Sequence, residues 1–335
     1  MNSEQLFVSV IVPAYNSART LPITLRSLKN QTYPQKLYEV IVVNDGSQDD
    51  TIAVLEKMSL PINFLVINHL SNQGLAQARN SGIRAAKGDL LIFLDADMEV
   101  ETNFIELHVA RQREPGVIGV VSACLPTPLM KMDKYQKYLY FSRRGARRFK
   151  PKQPLPYQVF IMGLTSIKRA TLEVVGLFNS EIKTYGGEDT ELAYRLWRQY
   201  PAGLFYEPHI KVYHHHFRHF TAALKLVTRF GKEVIPVIVK KHPELVRLYF
   251  FDYLPQIKSN SLLKRISGKL LLTPTVEQIV HLLYTLSPYP ISNAWVRLLL
   301  LTALLKGIKL SYENHSTENR PLCHDSHQGS SNFSM

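Results

Sequence analysis

Cysteine is nearly absent: the 335 residues carry two, Cys124 and Cys323. Two thiols build no disulfide framework, which excludes the stapled secreted domains and fits a reducing cytosol. Long apolar runs are missing too. The two most apolar stretches, 275–286 and 293–310, are broken by Glu277, Arg297 and Lys306, and neither offers the roughly 18 uninterrupted apolar residues of a membrane span. The opening, MNSEQLFVSVIVPAY, has no basic leader region and passes straight into a strand pattern, so no signal peptide is expected. Glycine-rich phosphate loops are absent in both common forms. There is no G-x-x-x-x-G-K-[ST], and PAYNSART rather than G-x-G-x-x-G follows the first apolar run. Acidic residues are few beside basic ones, 27 against 40, and the net charge of +13 favours anionic partners such as nucleic acid, nucleotides or acidic lipid. What is present is 45 % hydrophobic and 20 % charged, the composition of a globular chain long enough for one large domain or two ordinary ones.

Four short Val/Ile/Leu-rich runs stand out: VSVIVPAY (8–15), YEVIVVND (38–45), INFLVINH (62–69) and DLLIFLDAD (89–97). Continuous apolar character, rather than alternation, predicts parallel strands covered on both faces. Helix patterns fill the gaps at 17–30, 49–57 and 72–88, with Ser17 and Asp49 or Asp50 as candidate N-caps and Gly88 as a candidate stop. This alternation predicts an α/β fold of right-handed βαβ units. In such sheets ligands bind beyond the carboxyl ends of the strands. Asn16, Asp45, Asp95 and Asp97 all fall at such ends and are expected to share one site.

FLDADM (93–98) puts two carboxylates, Asp95 and Asp97, two positions apart after an apolar run. Like charges that close repel, and burying either is costly unless a cation or hydrogen bonds compensate. A divalent metal is expected there. Without a glycine-rich loop, a diphosphate would be held by that metal and by basic side chains; Mg²⁺ or Mn²⁺ suits carboxylate and phosphate oxygens. Further on, Glu188, Asp189 and Glu191 open a helix pattern, where acids in the first turn are favoured by the helix dipole. Gly186 and Gly187 just before them let backbone approach a ligand closely. Asp45, in NDGS, fits a turn as well as a site.

In order along the chain, VSVIVPAYN (8–16), VNDGSQDDT (43–51), NQGLAQARNSGIRAAKGDLLIFLDADM (72–98) and GGEDTELAYRL (186–196) resemble the successive signatures of a family 2 glycosyltransferase of GT-A fold. D-x-D alone is weak; the ordered set, spanning about residues 6–220, is specific. The resemblance implies a GT-A type, mostly parallel sheet flanked by helices, a Rossmann-like nucleotide-sugar domain over 1–219. A helical extension over 220–310 and a polar, disordered tail over 311–335 would follow. It implies that Pro13, Ala14, Tyr15 and Asn16 wrap the nucleoside, that Asp45 reads the base, and that Arg79 lies near ribose and diphosphate. Asp95, with its neighbour Ala96, would lie near ribose and metal, and Asp97 would ligate the metal directly. PHIKVYH (208–214) resembles an end strand whose histidine, His214, completes the metal shell. Asp189 would be the general base, with Glu188 beside it as a second catalytic candidate or acceptor contact.

The implied reaction moves a sugar from a nucleotide-diphospho-sugar, UDP-linked, to a hydroxyl of a saccharide or lipid-linked acceptor. It would be a metal-dependent single displacement with inversion, serving cell-surface glycan, polysaccharide or glycolipid synthesis. A catalytically inactive nucleotide-sugar-binding relative is the alternative, although all the acids needed for turnover are present.

Three histidines in a row, 214–216, cannot bind one ion together on a strand, where neighbours point to opposite faces; His214 and His216 share a face. The run SRRGARRFKPK (142–152) holds six cations and no acid, and reads either as a solvated loop or as one facing phosphate or lipid. Only Phe149, with Tyr140 and Phe141 nearby, accompanies it, few aromatics for a nucleic-acid groove, so a basic nucleic-acid-binding protein stands as the weaker alternative and no nucleic acid is expected as a partner. Helix patterns at 220–240 and 245–257 are interrupted at Pro236 and Pro255, and 275–286 and 293–310 form a hairpin around SPYPIS. These last limbs would reach about 18 and 27 Å, short of a ~30 Å hydrocarbon core. The second is apolar nearly all round and wants cover from protein or lipid. With the basic excess, this predicts a cytoplasmic protein resting on an anionic membrane face without spanning it. Cys323, His324 and His327, in the tail, read as unstructured.

Overall fold

The computed structural model describes residues 6–58, 63–128, 130–184, 186–249, 253–254 and 262–317. The chain separates into two compact units, Met1–Arg218 and His219–Met335. The first begins β1 (Val8–Ala14), α1 (Leu21–Lys29), β2 (Tyr38–Asn44), α2 (Thr51–Lys57), β3 (Asn63–Asn68), α3 (Leu75–Ala85) and β4 (Leu90–Leu94). It continues β5 (Met98–Val100), α4 (Phe104–Gln112), β6 (Gly119–Pro126), α5 (Lys134–Phe141), β7 (Leu164–Lys168), α6 (Arg169–Val175), α7 (Glu188–Gln199) and β8 (Leu204–His214).

The strands form one sheet in the order β3-β2-β1-β4-β7-β6-β8-β5. β3, β2, β1 and β4 are parallel neighbours, β7 runs against both β4 and β6, β8 is parallel to β6, and β5 runs against β8. Only β7 and β5 therefore oppose the common direction. Every residue of β1, β2 and β4 is buried, as continuous Val/Ile/Leu sequence predicts for strands covered on both faces. β3 departs from that expectation: it is the edge strand, its exposure alternates, and Leu65 faces solvent.

Of the candidate caps, Asp49 accepts the first amide of α2 on its side chain, Asp50 stands at the N-cap of α2 without a side-chain bond, and Ser17 does not cap with its side chain. α1 starts at Leu21, and Ser17 instead accepts the Thr20 and Leu21 amides at its carbonyl. The Asp49 carboxylate takes the Ala18 amide at 3.1 Å and the Thr51 amide at 3.0 Å, tying the loop after β2 to the exit of β1. α3 ends at Ala85, ahead of Gly88.

β8 carries one irregularity that matters for the site. Ser122 of β6 faces Glu207, but Ala123 faces Lys211, so residues 208–210 stand out of the ladder. Pro208, with no amide proton to donate, lies in that bulge, where a strand tolerates proline. Beyond it the register places His214 opposite both Met98 of β5 and Pro126 of β6.

The second unit contains α8 (Phe220–Arg229), α9 (Ile235–Lys241), α10 (Leu262–Leu271), α11 (Pro274–Leu286) and α12 (Ser292–Thr317). The helix runs on from α8 through a π-helical turn over Phe230–Val234 into α9, and Pro236, which has no amide to donate to the ladder, stands just after that turn. Pro255, Cys323, His324, His327 and the rest of the tail from 318 lie outside the described residues. The tail does not start at 311: α12 runs on to Thr317, 26 residues in all, or about 39 Å at the usual rise per residue. The 27 Å expected for that limb is thus too short. Length is not what keeps it from crossing; its charges are, and among the described residues no helix is long and apolar enough to cross a membrane. Nor does this limb want lipid for cover. Val296, Leu299, Leu305 and Ile308 are buried within its own unit, and Gly307 meets Gly231 so closely that a methyl group there would lie 2.0 Å from the Thr228 carbonyl oxygen.

Candidate active site

Because β2, β1 and β4 are parallel neighbours, their carboxyl ends share one edge, and Asn16, Asp45 and Asp95 collect there. Ala14, in β1, accepts the Asp45 amide at its carbonyl, 2.8 Å away. Asn16, with a positive φ of 51°, receives the Gln48 amide on its side-chain oxygen and donates its own amide to Ser47 Oγ. Pro13 and Ala14 are buried in β1, whereas the Tyr15 ring is 45 % exposed beside them. Asp45 is only 3 % exposed. Its Oδ1 accepts His69 Nδ1 at 2.7 Å and the Gln73 amide at 2.9 Å, and its Oδ2 accepts the Gly74 amide at 2.9 Å. Three of its roughly four acceptor directions are therefore used by the protein.

Arg79 does not reach outward from α3. Its guanidinium, 2 % exposed, forks between Glu188 Oε1 at 2.8 Å and Asp95 Oδ1 at 3.0 Å. It thereby ties the start of α7 to the end of β4. Among the described residues, its Nε and Glu188 Oε2 have no hydrogen-bond partner. Burial pushes Glu188 up to about 7, the neighbouring Asp189 charge adds to the rise, and Arg79 only partly opposes it. Burial also raises the Asp95 carboxyl above its ordinary range against the pull of Arg79. The close approach of the 163 backbone fixes Asp95 from behind: a Cβ on Gly163 would lie 2.1 Å from Asp95 Oδ2. Asp189 follows Glu188 in the first turn of α7, its Oδ1 accepting the Thr190 amide at 2.7 Å. Gly186 and Gly187 before it take φ of 98° and 91°, a conformation open to glycine.

Asp97 Oδ2 and His214 Nε2 face each other at 3.2 Å across the β5–β8 register. Tyr140 Oη lies 2.7 Å from the other ring nitrogen, Nδ1, and a hydroxyl there can accept from the ring or donate to it. Burial pushes the Asp97 carboxyl up, but the His214 hydrogen bond and the charges of His214 and His216 outweigh it and hold it below its ordinary range. The pair fits a hard divalent ion. Ligand atoms at roughly 2.1 Å from an octahedral ion and at right angles to each other stand about 3 Å apart. Asp95, the third expected ligand, is turned toward Arg79 instead, and among the described residues no three His, Cys, Asp or Glu side chains converge as a ready metal cage. Ala96, between the two acids, is buried.

Residues 9–175 match a family model described as Glycosyl transferase family 2, and residues 143–219 match one described as N-terminal domain of galactosyltransferase. The chain belongs to glycosyl transferase family 2. Among its relatives, an uncharacterized glycosyltransferase of Bacillus subtilis, YfnE, is 29 % identical over 56 % of this chain and 59 % of its own. Glycosyltransferase AglE of Haloferax volcanii is 38 % identical over 35 % of this chain and 39 % of its own. The chain thus spans well under two-thirds of the length of these curated relatives. The mannosyltransferase PcManGT of Pyrobaculum calidifontis shares the fold, with a TM-score of 0.60 and 18 % identity over 93 % of this chain and 88 % of that one.

Within this family 2 chain, sequence reasoning missed several residues that shape the site. Tyr140 orients His214, His69 braces Asp45 while its Nε2 meets Ser81 Oγ at 2.9 Å, and Gly163 backs Asp95. Nothing in KYLYF or NHLSN marks the first two. A glycine next to a methionine in a strand approach is at most a weak sign of close contact. Of the histidine run, His215 pairs with Glu99 at 2.6 Å on the far side from Asp97, and the His216 ring stands 6.3 Å from that of His214. The basic loop is anchored: Gly145–Arg148 form a 3₁₀ turn, Arg147 donates to the Leu139 carbonyl, and the Arg144 guanidinium lies over the Tyr138 ring.

Proposed function

We propose that this chain transfers a sugar from a nucleoside-diphospho-sugar, in the first place a UDP-sugar, to a hydroxyl of a saccharide or lipid-linked acceptor. The transfer inverts the anomeric centre, depends on Mg²⁺ or Mn²⁺, takes place in the cytoplasm, and serves the synthesis of a surface glycan, polysaccharide or glycolipid. The observation that carries the reading is the Asp97–His214 pair, with Asp95 tied through Arg79 to the acidic start of α7. Structural neighbours support the donor class: PcManGT is bound to GDP-Man and Mn²⁺, S. aureus TarS to UDP-GlcNAc, and GalNAc-T7 to UDP, GalNAc and Mn²⁺.

In this reading Asp97 and His214 hold the ion and Tyr140 keeps the imidazole aimed at it, as partners of ligating histidines do. The bound ion would supply Lewis-acid neutralisation of the charge that develops on the departing diphosphate. Asp45 keeps one acceptor direction for the base, and the exposed Tyr15 ring offers a stacking face. Asp189 takes the proton of the acceptor hydroxyl as its oxygen attacks the anomeric carbon. Retention would want a second carboxylate at that carbon. Glu188 is not presented for it, being 3 % exposed and bound to Arg79, which favours inversion.

Donor-induced thermal stabilisation with and without Mn²⁺, using UDP-sugars and GDP-mannose, tests the reading. A donor at a hundred times its Kd stabilises the native state by about 2.7 kcal/mol. Asp97→Ala is expected to fold and to lose both the Mn²⁺-dependent shift and transfer. Near wild-type transfer by that variant with the ion chelated would overturn it.

A further inference from the structure

The chain concentrates exposed apolar side chains in one stretch of its sequence. Seven of the sixteen large apolar side chains exposed among the described residues lie within residues 263–291. Six of them form two matching stripes. On α10, Leu263, Ile266 and Leu270 are between 48 and 77 % exposed; on the next helix, α11, Ile279, Leu282 and Leu286 are between 52 and 70 % exposed. Each trio has the spacing i, i+3, i+7, which keeps three side chains within about 60° of one helix face. On α10 that face is bordered by lysines. Lys264 and Lys269, both exposed, project on opposite sides of the stripe, about 130° and 90° from its centre; the Lys264 ammonium lies 5.9 Å from the centre of the Tyr253 ring, and the helix, LLKRISGKLL, contains no acid. On α11 the one acid, Glu277, is taken by Lys306 of α12.

We propose that α10 and α11 form a docking face for an anionic lipid bilayer, lying in its interface rather than crossing it. The inference does not rest on sugar transfer. An apolar stripe flanked by lysines sinks its side chains to the acyl boundary while the ammonium groups reach back to lipid headgroups. The same lysines argue against a second copy of this chain as the occupant. A two-fold contact would set the two basic borders of α10 against each other, with no acid on the helix to relieve them. An anionic surface attracts them instead, each basic side chain near it strengthening binding about 5-fold.

Flotation of the full chain with phosphatidylcholine vesicles, with and without phosphatidylserine, tests this. The wild type is expected to float with phosphatidylserine vesicles at low salt, and to lose that binding at least tenfold in high salt or on pure phosphatidylcholine. Leu263→Gln with Ile266→Gln and Leu270→Gln should cut binding at least tenfold without lowering the melting temperature. Lys264→Gln with Lys269→Gln should cut it about 25-fold on phosphatidylserine, at about 5-fold per lysine. The lysine pair decides alone if the apolar triple variant fails to unfold cooperatively. The proposal is overturned if the wild type stays unbound at low salt, or if the lysine pair floats like the wild type. It is equally overturned if light scattering shows a dimer that the apolar triple variant turns into a monomer while neither binds vesicles.

Discussion

Glu188→Gln is expected to alter how stability depends on pH more than stability at any one pH. In the folded chain the Glu188 carboxyl titrates at about 7, against 4.5 for an ordinary glutamate. Between those values Glu188 binds more proton in the native state than in the unfolded one, so its contribution to stability is greatest at low pH and falls as pH rises from about 4.5 through about 7. At 1.36 kcal/mol per pH unit the whole fall is about 3 kcal/mol. Glutamine does not titrate. It keeps an oxygen for the Arg79 Nη1 donor, now 2.8 Å from Oε1, and puts its amide where Oε2 has no partner. At pH 5 the variant should therefore lie within about 1 kcal/mol of wild type, the range of one exchanged neutral hydrogen bond. At pH 8 it should be the more stable protein by about 3 kcal/mol. Urea unfolding at steps between these pH values measures the difference, with Trp197, on α7 itself, as the fluorescent reporter once Trp295 is replaced by Phe. A constant offset between the two proteins across the whole range would refute the reasoning, because it would mean that Glu188 is ionised in the native state throughout.

Asp189→Asn keeps shape but removes the proton acceptor, and kcat should drop about 10²–10⁴-fold with donor binding unchanged; an equal loss of donor affinity in calorimetry would make it a binding residue instead. Gly163→Ala would force a methyl group to within 2.1 Å of Asp95 Oδ2. Overpacking of this kind costs about 1–3 kcal/mol, so a lower melting temperature and at least a tenfold loss of turnover are expected, and a variant that keeps both would show that Asp95 has room to move.

The parts of this protein that were legible in sequence are those set by local pattern. β1, β2 and β4 announced themselves because central parallel strands need apolar residues on both faces, and Asp95 and Asp97 because acids at the end of such a strand need a reason to be there. β3 has the same composition, but whether a strand lies at the edge is a property of the assembled sheet. The direction of Arg79 was hidden for a related cause: its partner Glu188 is 109 residues away, and an arginine on α3 reads the same whether its charge serves a ligand or a buried carboxylate. Tyr140 meets His214 over 74 residues, with no local mark at either end. The length of α12 was a failure of stop signals. SYENHST is polar enough to resemble a tail, yet no glycine or proline interrupts the chain between Gly307 and Pro321, and the helix runs on to Thr317.

The bulge in β8 gives this site an unusual evolutionary exposure. His214 stands opposite Met98 and Pro126 only because residues 208–210 loop out of the ladder. Excising those three residues would change nothing downstream, because Lys211 would then follow Glu207 directly and His214 would still face Pro126. Taking the three into the ladder instead, by flattening the bulge, would bring Lys211 opposite Pro126. Three is an odd number, so that slip would also turn each following side chain to the other face. A substitution that let the bulge flatten could therefore part Asp97 from His214 while both residues and the fold remain, and comparisons that score only those two columns would count such a sequence as intact.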